Sequence, residues 1–206
     1  MRSHISASAL ETFWRCGEAY RRRYVEREII PPGFALMIGS SLHKGAEENF
    51  RQKIETHEDL PVDDIVEAAV AEFQSRTTGG DFVLTSEEES IGARKVIGAY
   101  TDLVADIADI HARVQAPEYQ PIGVEVTTLI ELPGERDLLT ITDLRDDQGR
   151  VVDFKTALRK KSRSEVETST ALTAYAAAYR VDFSRDPSSV RLDTVLKPRL
   201  STSSSS

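Results

Sequence analysis

Three adjoining stretches constrain the fold most: Leu138-Leu139-Thr140-Ile141-Thr142-Asp143, the polar Asp146-Asp147-Gln148-Gly149, and Arg150-Val151-Val152-Asp153-Phe154-Lys155. Two strand-like runs separated by a tight polar turn ending in glycine read as a β-hairpin. Residues i and i+2 of a strand share a face, so Asp153 and Lys155 stand side by side. Pairing the two strands brings Asp143 towards Asp153. Two hard oxygen ligands beside one ammonium are the minimum set for holding Mg²⁺ against a phosphate. A solvated ion pair on a strand has the same Asp-x-Lys spelling, and an Asp before a turn is ordinary turn chemistry. Context has to separate these readings.

That context is Asp143, the run Val151-Val152-Asp153-Phe154-Lys155-Thr156, and a later helix carrying Tyr175. Together they resemble the PD-(D/E)XK nuclease superfamily, and within it the RecB-type exonuclease branch with its CRISPR-associated relatives. The resemblance extends over most of the chain. It implies an α/β (α+β) fold: a mixed central sheet flanked by helices, with an αβββαβ restriction-endonuclease-like core behind a helical N-terminal region. It also implies metal-dependent hydrolysis of DNA phosphodiester bonds by one or two Mg²⁺ or Mn²⁺ ions. The catalytic residues would be Asp143, Asp153 and Lys155. The metal ligands would be Asp143, Asp153, the Phe154 backbone carbonyl and His43, whose Gly39-x-x-Leu42-His43 setting is similar to a family segment. Imidazole suits Mn²⁺ better than Mg²⁺. Glu125 matches a cleft-lining glutamate of relatives, although an exposed strand carboxylate reads the same way. In the family a glutamine precedes the tyrosine of the late helix by four residues; here Tyr175 is present but Ala171 stands in the glutamine position.

Two basic runs fit a polyanionic substrate. Arg21-Arg22-Arg23 is interleaved with aromatic residues, and as a helix end it also complements the helix dipole. Arg159-Lys160-Lys161 leaves the hairpin directly, either as a solvated loop or as a phosphate contact. The net charge of −8 argues against a protein that coats nucleic acid through general positive charge. A nuclease needs cations in only one cleft, so this class stays open. Cys16 is the single cysteine, which excludes an internal disulfide and suits a reducing cytoplasm. Some relatives place an iron–sulfur cluster on four cysteines; no such cluster is expected from one. No apolar run approaches a membrane span, so no membrane partner is expected. The expected partners are DNA and, in a recombination, repair or phage DNA-processing complex, other proteins. CRISPR adaptation also employs relatives. The alternative function is a nuclease-like domain that binds nucleic acid or protein and cuts weakly or not at all.

A chain of 206 residues suits one nuclease domain over 1–200, with a helical region 1–84, a core 85–200 and a disordered serine-rich tail 201–206. A capping box at Ser8 and Glu11 predicts a first helix running to Tyr24. Pro31-Pro32-Gly33 breaks the chain before a helix over 36–50 and beyond. Apolar periodicity predicts a helix over 62–76 and a long one from Thr85 or Ser86 to Arg113. The stripe of the latter runs to Ile110, and His111 is expected at the surface or as a helix-end cation. Strands follow over 123–130 and the hairpin. A helix capped by Ser164 runs to about Arg180, and a last strand covers 190–196.

Overall fold

The structure, a computed structural model, describes residues 4–134 and 136–198. The serine-rich tail and Glu135 lie outside the described residues. The chain is a mixed α/β fold with a mixed central sheet and flanking helices. It sorts into two compact units: residues 1–30, 121–153 and 161–192, and residues 31–120, 154–160 and 193–206.

The first unit holds most of the sheet. In chain order come β1 (Ile5–Ser6), α1 (Ala7–Arg15), α2 (Gly17–Tyr20) and a π-helical turn (Arg21–Val25). After the second unit's helices come β2 (Pro121–Ile130), β3 (Leu138–Asp146) and β4 (Arg150–Ala157). The last described elements of the chain are α7 (Arg163–Glu167), α8 (Thr170–Phe183) and β5 (Ser189–Leu196). The strand order is β1-β3-β4-β5, with β2 also on β3. β2 runs antiparallel along the whole of β3, from Pro121 opposite Asp146 to Ile130 opposite Leu138. The other edge of β3 is shared: β1 pairs parallel at Leu138 and Leu139, and β4 antiparallel at Leu144 and Arg145.

The hairpin turn is built around Asp146, whose carboxylate is fully buried. Its Oδ1 accepts the Gln148 and Arg150 amides at 3.1 and 2.8 Å, and the Arg150 guanidinium pairs with the same carboxylate. Gly149 takes φ 73°, a left-handed conformation that costs other residues more. Its carbonyl accepts the Ser188 amide at 2.9 Å, fastening the turn to the start of β5.

Helix α8 lies on β2 and β3, and α1 lies on β1, β3 and α8. Arg145 on β3 is 3% exposed, and its guanidinium lies over the rings of Tyr179 and Phe183. It donates to Asp182 at 2.6 Å and to the Thr128 hydroxyl at 2.9 Å. Removing one partner of such a pair leaves a charge stranded away from water. Asp182→Ala is therefore expected to cost about 3–5 kcal/mol of unfolding free energy in urea. The double change Arg145→Met with Asp182→Leu should recover most of it; an Asp182→Ala midpoint equal to the wild type would refute this role.

The second unit contains α3 (Phe34–Thr56), α4 (Val62–Thr78), α5 (Ser86–Ile91) and α6 (Ala93–Ile110). A π-helical turn (His111–Gln115) and a 3-10 turn (Ala116–Glu118) follow. Its core gathers Phe34, Met37, Ile38, Leu42, Phe73 and Val104, with Tyr100 and Phe82 closing on the Phe34 ring at 4.9 and 5.1 Å. Each such buried side chain contributes about 1.5–3 kcal/mol of transfer free energy. α3 and α4 approach closely at Gly45, where an added Cβ would lie 2.8 Å from the Ile65 carbonyl oxygen.

Several element boundaries differ from the sequence reading. Ser6, not Ser8, caps α1, accepting the Ala9 amide at 3.2 Å, because strand β1 delivers the chain to the helix two residues earlier. The first helix also breaks at Cys16, whose backbone is extended. The helix expected over 85–113 breaks at Gly92, although Thr85 caps it in a full capping box with Glu88. The helix expected from Ser164 is two: Ser162 caps α7 and Ser169 caps α8. His111 is fully buried rather than at the surface, and Ile110 is exposed instead. The reason is phase: His111 continues the buried stripe of Val104, Ile107 and Ala108. Its Nδ1 lies 2.8 Å from Gln115 Oε1, and Phe50 and Phe154 meet its ring edge to face. Burial pushes its pKa down, so it is neutral and not a helix-end cation.

Candidate active site

The hairpin ladder pairs Leu144 with Val152 and Arg145 with Val151. Asp143 and Asp153 are the next residues on the two strands, where that ladder opens. On the other edge of β3, Val124 pairs with Leu144 and Val126 with Thr142, so Glu125 stands opposite Asp143. Glu125 has φ 50°, a left-handed backbone inside a strand. For a residue with a side chain that conformation costs roughly 1–3 kcal/mol, and it persists where the surrounding structure enforces it, often at a functional site. Glu125 and Asp143 offer ligand oxygens within 4.8 Å of one another.

Asp153 is 2% exposed, and strand alternation sorts its neighbours. Phe154 turns its ring onto Phe50 and His111, at 5.6 and 4.9 Å between centroids. Asp153 accepts a long hydrogen bond from the Tyr175 hydroxyl at 3.4 Å. Lys155, two residues on, takes the Asp153 side of the strand and is exposed. The Tyr175 phenol has its pKa pushed well up, first by burial and then by the charges of Asp153 and Asp143. The hydrogen bond to Asp153 and the charge of Glu11 add to this. It therefore stays a proton donor across ordinary pH, and both aspartates act on it. Position follows from α8: Ser169 accepts the Leu172 amide at its N-terminus, leaving Ala171 in the first turn and Tyr175 one turn on.

Glu125, Asp143, Asp153 and Tyr175 are thus brought together within the first unit. His43 is on α3 of the second unit, partly buried. Arg21 and Arg22 are exposed on the π-helical turn and tied to acids: Glu18 takes Arg21 at 2.8 Å and Arg22 at 2.9 Å, and Arg21 also pairs with Glu26. Those two guanidiniums hold the Glu18 carboxyl down at about 2. Arg159, Lys160 and Lys161 are exposed in the segment after β4. The placement of Glu125 against Asp143 escaped the sequence because it depends on register across two strands. Only the resemblance to relatives marked Glu125 as a cleft residue.

The chemistry of the donor set fits a hard divalent cation. Carboxylates on adjoining strands and a backbone carbonyl offer oxygen ligands of the kind Mg²⁺ and Mn²⁺ prefer.

This fold and this carboxylate-bearing hairpin define a class of nucleic-acid hydrolases, and comparison with known proteins agrees. The family model for the PD-(D/E)XK nuclease superfamily matches residues 4–199, and the chain belongs to that superfamily. Among solved structures it is similar to a candidate exonuclease from Eubacterium rectale, with 13% identity and a TM-score of 0.59 over 94% of this chain and 67% of that chain. At that identity the likeness supports the fold alone. No curated protein matches. Among the described residues no helix is long and apolar enough to cross a membrane.

Proposed function

We propose that the protein is a divalent-metal-dependent deoxyribonuclease of exonuclease type that acts in DNA recombination, repair or phage DNA processing. The observation that carries this reading is the convergence of Asp143 and Asp153 on Tyr175, with the strained Glu125 opposite Asp143. In this reading Asp143, Asp153 and the Phe154 carbonyl hold the cation, and Glu125 completes the donor set. Bound there, Mg²⁺ or Mn²⁺ supplies Lewis-acid polarisation of the scissile phosphate and lowers the pKa of water from 15.7 towards about 7. Lys155 neutralises charge building on the phosphorus oxygens as the bond to the attacking water forms. The Tyr175 hydroxyl orients Asp153 and contacts the strand. Arg21, Arg22, Arg159, Lys160 and Lys161 guide it, which makes affinity fall with salt.

The test is incubation with linear and circular DNA, single- and double-stranded, in Mg²⁺, Mn²⁺ or EDTA. Cutting of linear DNA that requires metal supports the reading, and cutting that persists in EDTA contradicts it. Equal cutting of circles would make the enzyme an endonuclease.

Ala171 favours a second reading, a nuclease-like domain that binds nucleic acid and cuts weakly. Alanine offers no hydrogen bond to a base or phosphate, whereas a glutamine one turn before Tyr175 would. Ala171→Gln is expected to speed cutting about 5- to 10-fold, one hydrogen bond's worth of about 1–1.5 kcal/mol. Single-turnover rates would show it, and an unchanged rate would remove Ala171 as a cause of weak cutting.

A further inference from the structure

The N-terminal segment of the first unit exposes aromatic surface that its own packing leaves open. Phe13 is 53% and Trp14 65% exposed on one turn of α1. The Phe13 ring meets Tyr20 edge-on at 5.3 Å, Tyr20 lies 5.2 Å from Tyr24, and the Arg23 guanidinium sits 5.7 Å over the Tyr24 ring. Arg21 and Arg22 are compensated by Glu18 and Glu26. Arg15, Arg23 and Arg27 are exposed and make no ion pair among the described residues.

Bases stack on aromatic faces, and guanidiniums serve both phosphates and rings, so this combination matches an unpaired strand. A duplex offers groove edges and keeps its base faces stacked on each other. A second copy would bring three uncompensated cations against three more. The face also adjoins the candidate active site, since α1 packs on α8 and its Glu11 acts on the Tyr175 phenol.

We propose that α1 and the π-helical turn form a platform for single-stranded nucleic acid. Unpaired bases stack on Phe13, Trp14 and Tyr24, while Arg15, Arg23 and Arg27 take the adjoining phosphates. This rests on the nuclease reading and goes beyond it by naming the form in which substrate is held.

Trp14 is the only tryptophan of the chain, so intrinsic tryptophan emission reports this face alone. The experiment titrates the full chain in EDTA with a short oligothymidylate, and in parallel with a blunt duplex of equal length. Saturable quenching by the single strand with little response to the duplex is expected. Log affinity against log salt should have a slope of about −2, from three phosphates at roughly 0.7 each. Phe13→Ala and Tyr24→Ala should each weaken binding roughly tenfold, the loss of about one stacked base. Arg23→Ala, at an exposed position, should flatten the salt slope even if an aromatic variant fails to fold. No quenching, equal quenching by duplex, or an emission change on concentrating the protein alone would each overturn the platform; the last would assign the face to self-association. Loss of the platform with metal-dependent cutting intact leaves the nuclease reading standing. Quenching by single strand, sensitive to these variants, in a protein that cuts nothing keeps the platform and sinks the catalytic reading.

Discussion

Asp153→Asn is expected to abolish DNA cleavage, lowering the single-turnover rate by about three orders of magnitude or more, at least the loss seen when one preorganised charge-stabilising group is removed. The substitution keeps the shape of a side chain that is 2% exposed, and an amide oxygen can still accept from Tyr175. What it removes is the negative charge next to Asp143 where the hairpin ladder opens. The metal-free protein should therefore keep its melting temperature. The stabilisation given by a saturating divalent cation should disappear: about 2.7 kcal/mol for a ligand at a hundred times its dissociation constant. Full cleavage in this variant would place the chemistry elsewhere. Loss of fold in the metal-free variant would make Asp153 a structural residue.

Lys155→Ala should give a different signature. Lys155 is exposed, so the fold should be unchanged. Losing an ammonium that acts on developing phosphate charge is expected to lower the maximal rate about 10²- to 10³-fold. Metal affinity should stay level or rise, because a cation near the site is gone. Lys155→Arg should rescue poorly, since a planar guanidinium does not reproduce a compact ammonium. Measured side by side, rate loss with intact metal binding assigns Lys155 to the reaction. Rate loss with equal loss of metal binding would assign it to holding the site together.

What the sequence made legible was the set of local relations. The hairpin could be read because its turn and its strand periods lie within one short stretch, and Asp153 and Lys155 share a face by alternation alone. Tyr175 was legible only through its resemblance to a known helix; nothing local says that its phenol reaches Asp153. The relations that need tertiary register stayed hidden. Glu125 opposite Asp143 depends on pairing two strands joined by a loop. Burial of His111 depends on where the breaks fall, since the helix restarts after Gly92 and ends in a π-turn. Ser6 took the cap expected of Ser8 because a two-residue strand, β1, precedes it, and a strand that short leaves no periodic signal.

Calorimetric titration of Mn²⁺ into the metal-free protein tests the two-aspartate site most directly. Saturable binding in the wild type, weakened at least about tenfold (1.4 kcal/mol) in both Asp143→Asn and Asp153→Asn and retained in Lys155→Ala, is the predicted result. Binding that neither aspartate change disturbs would contradict it.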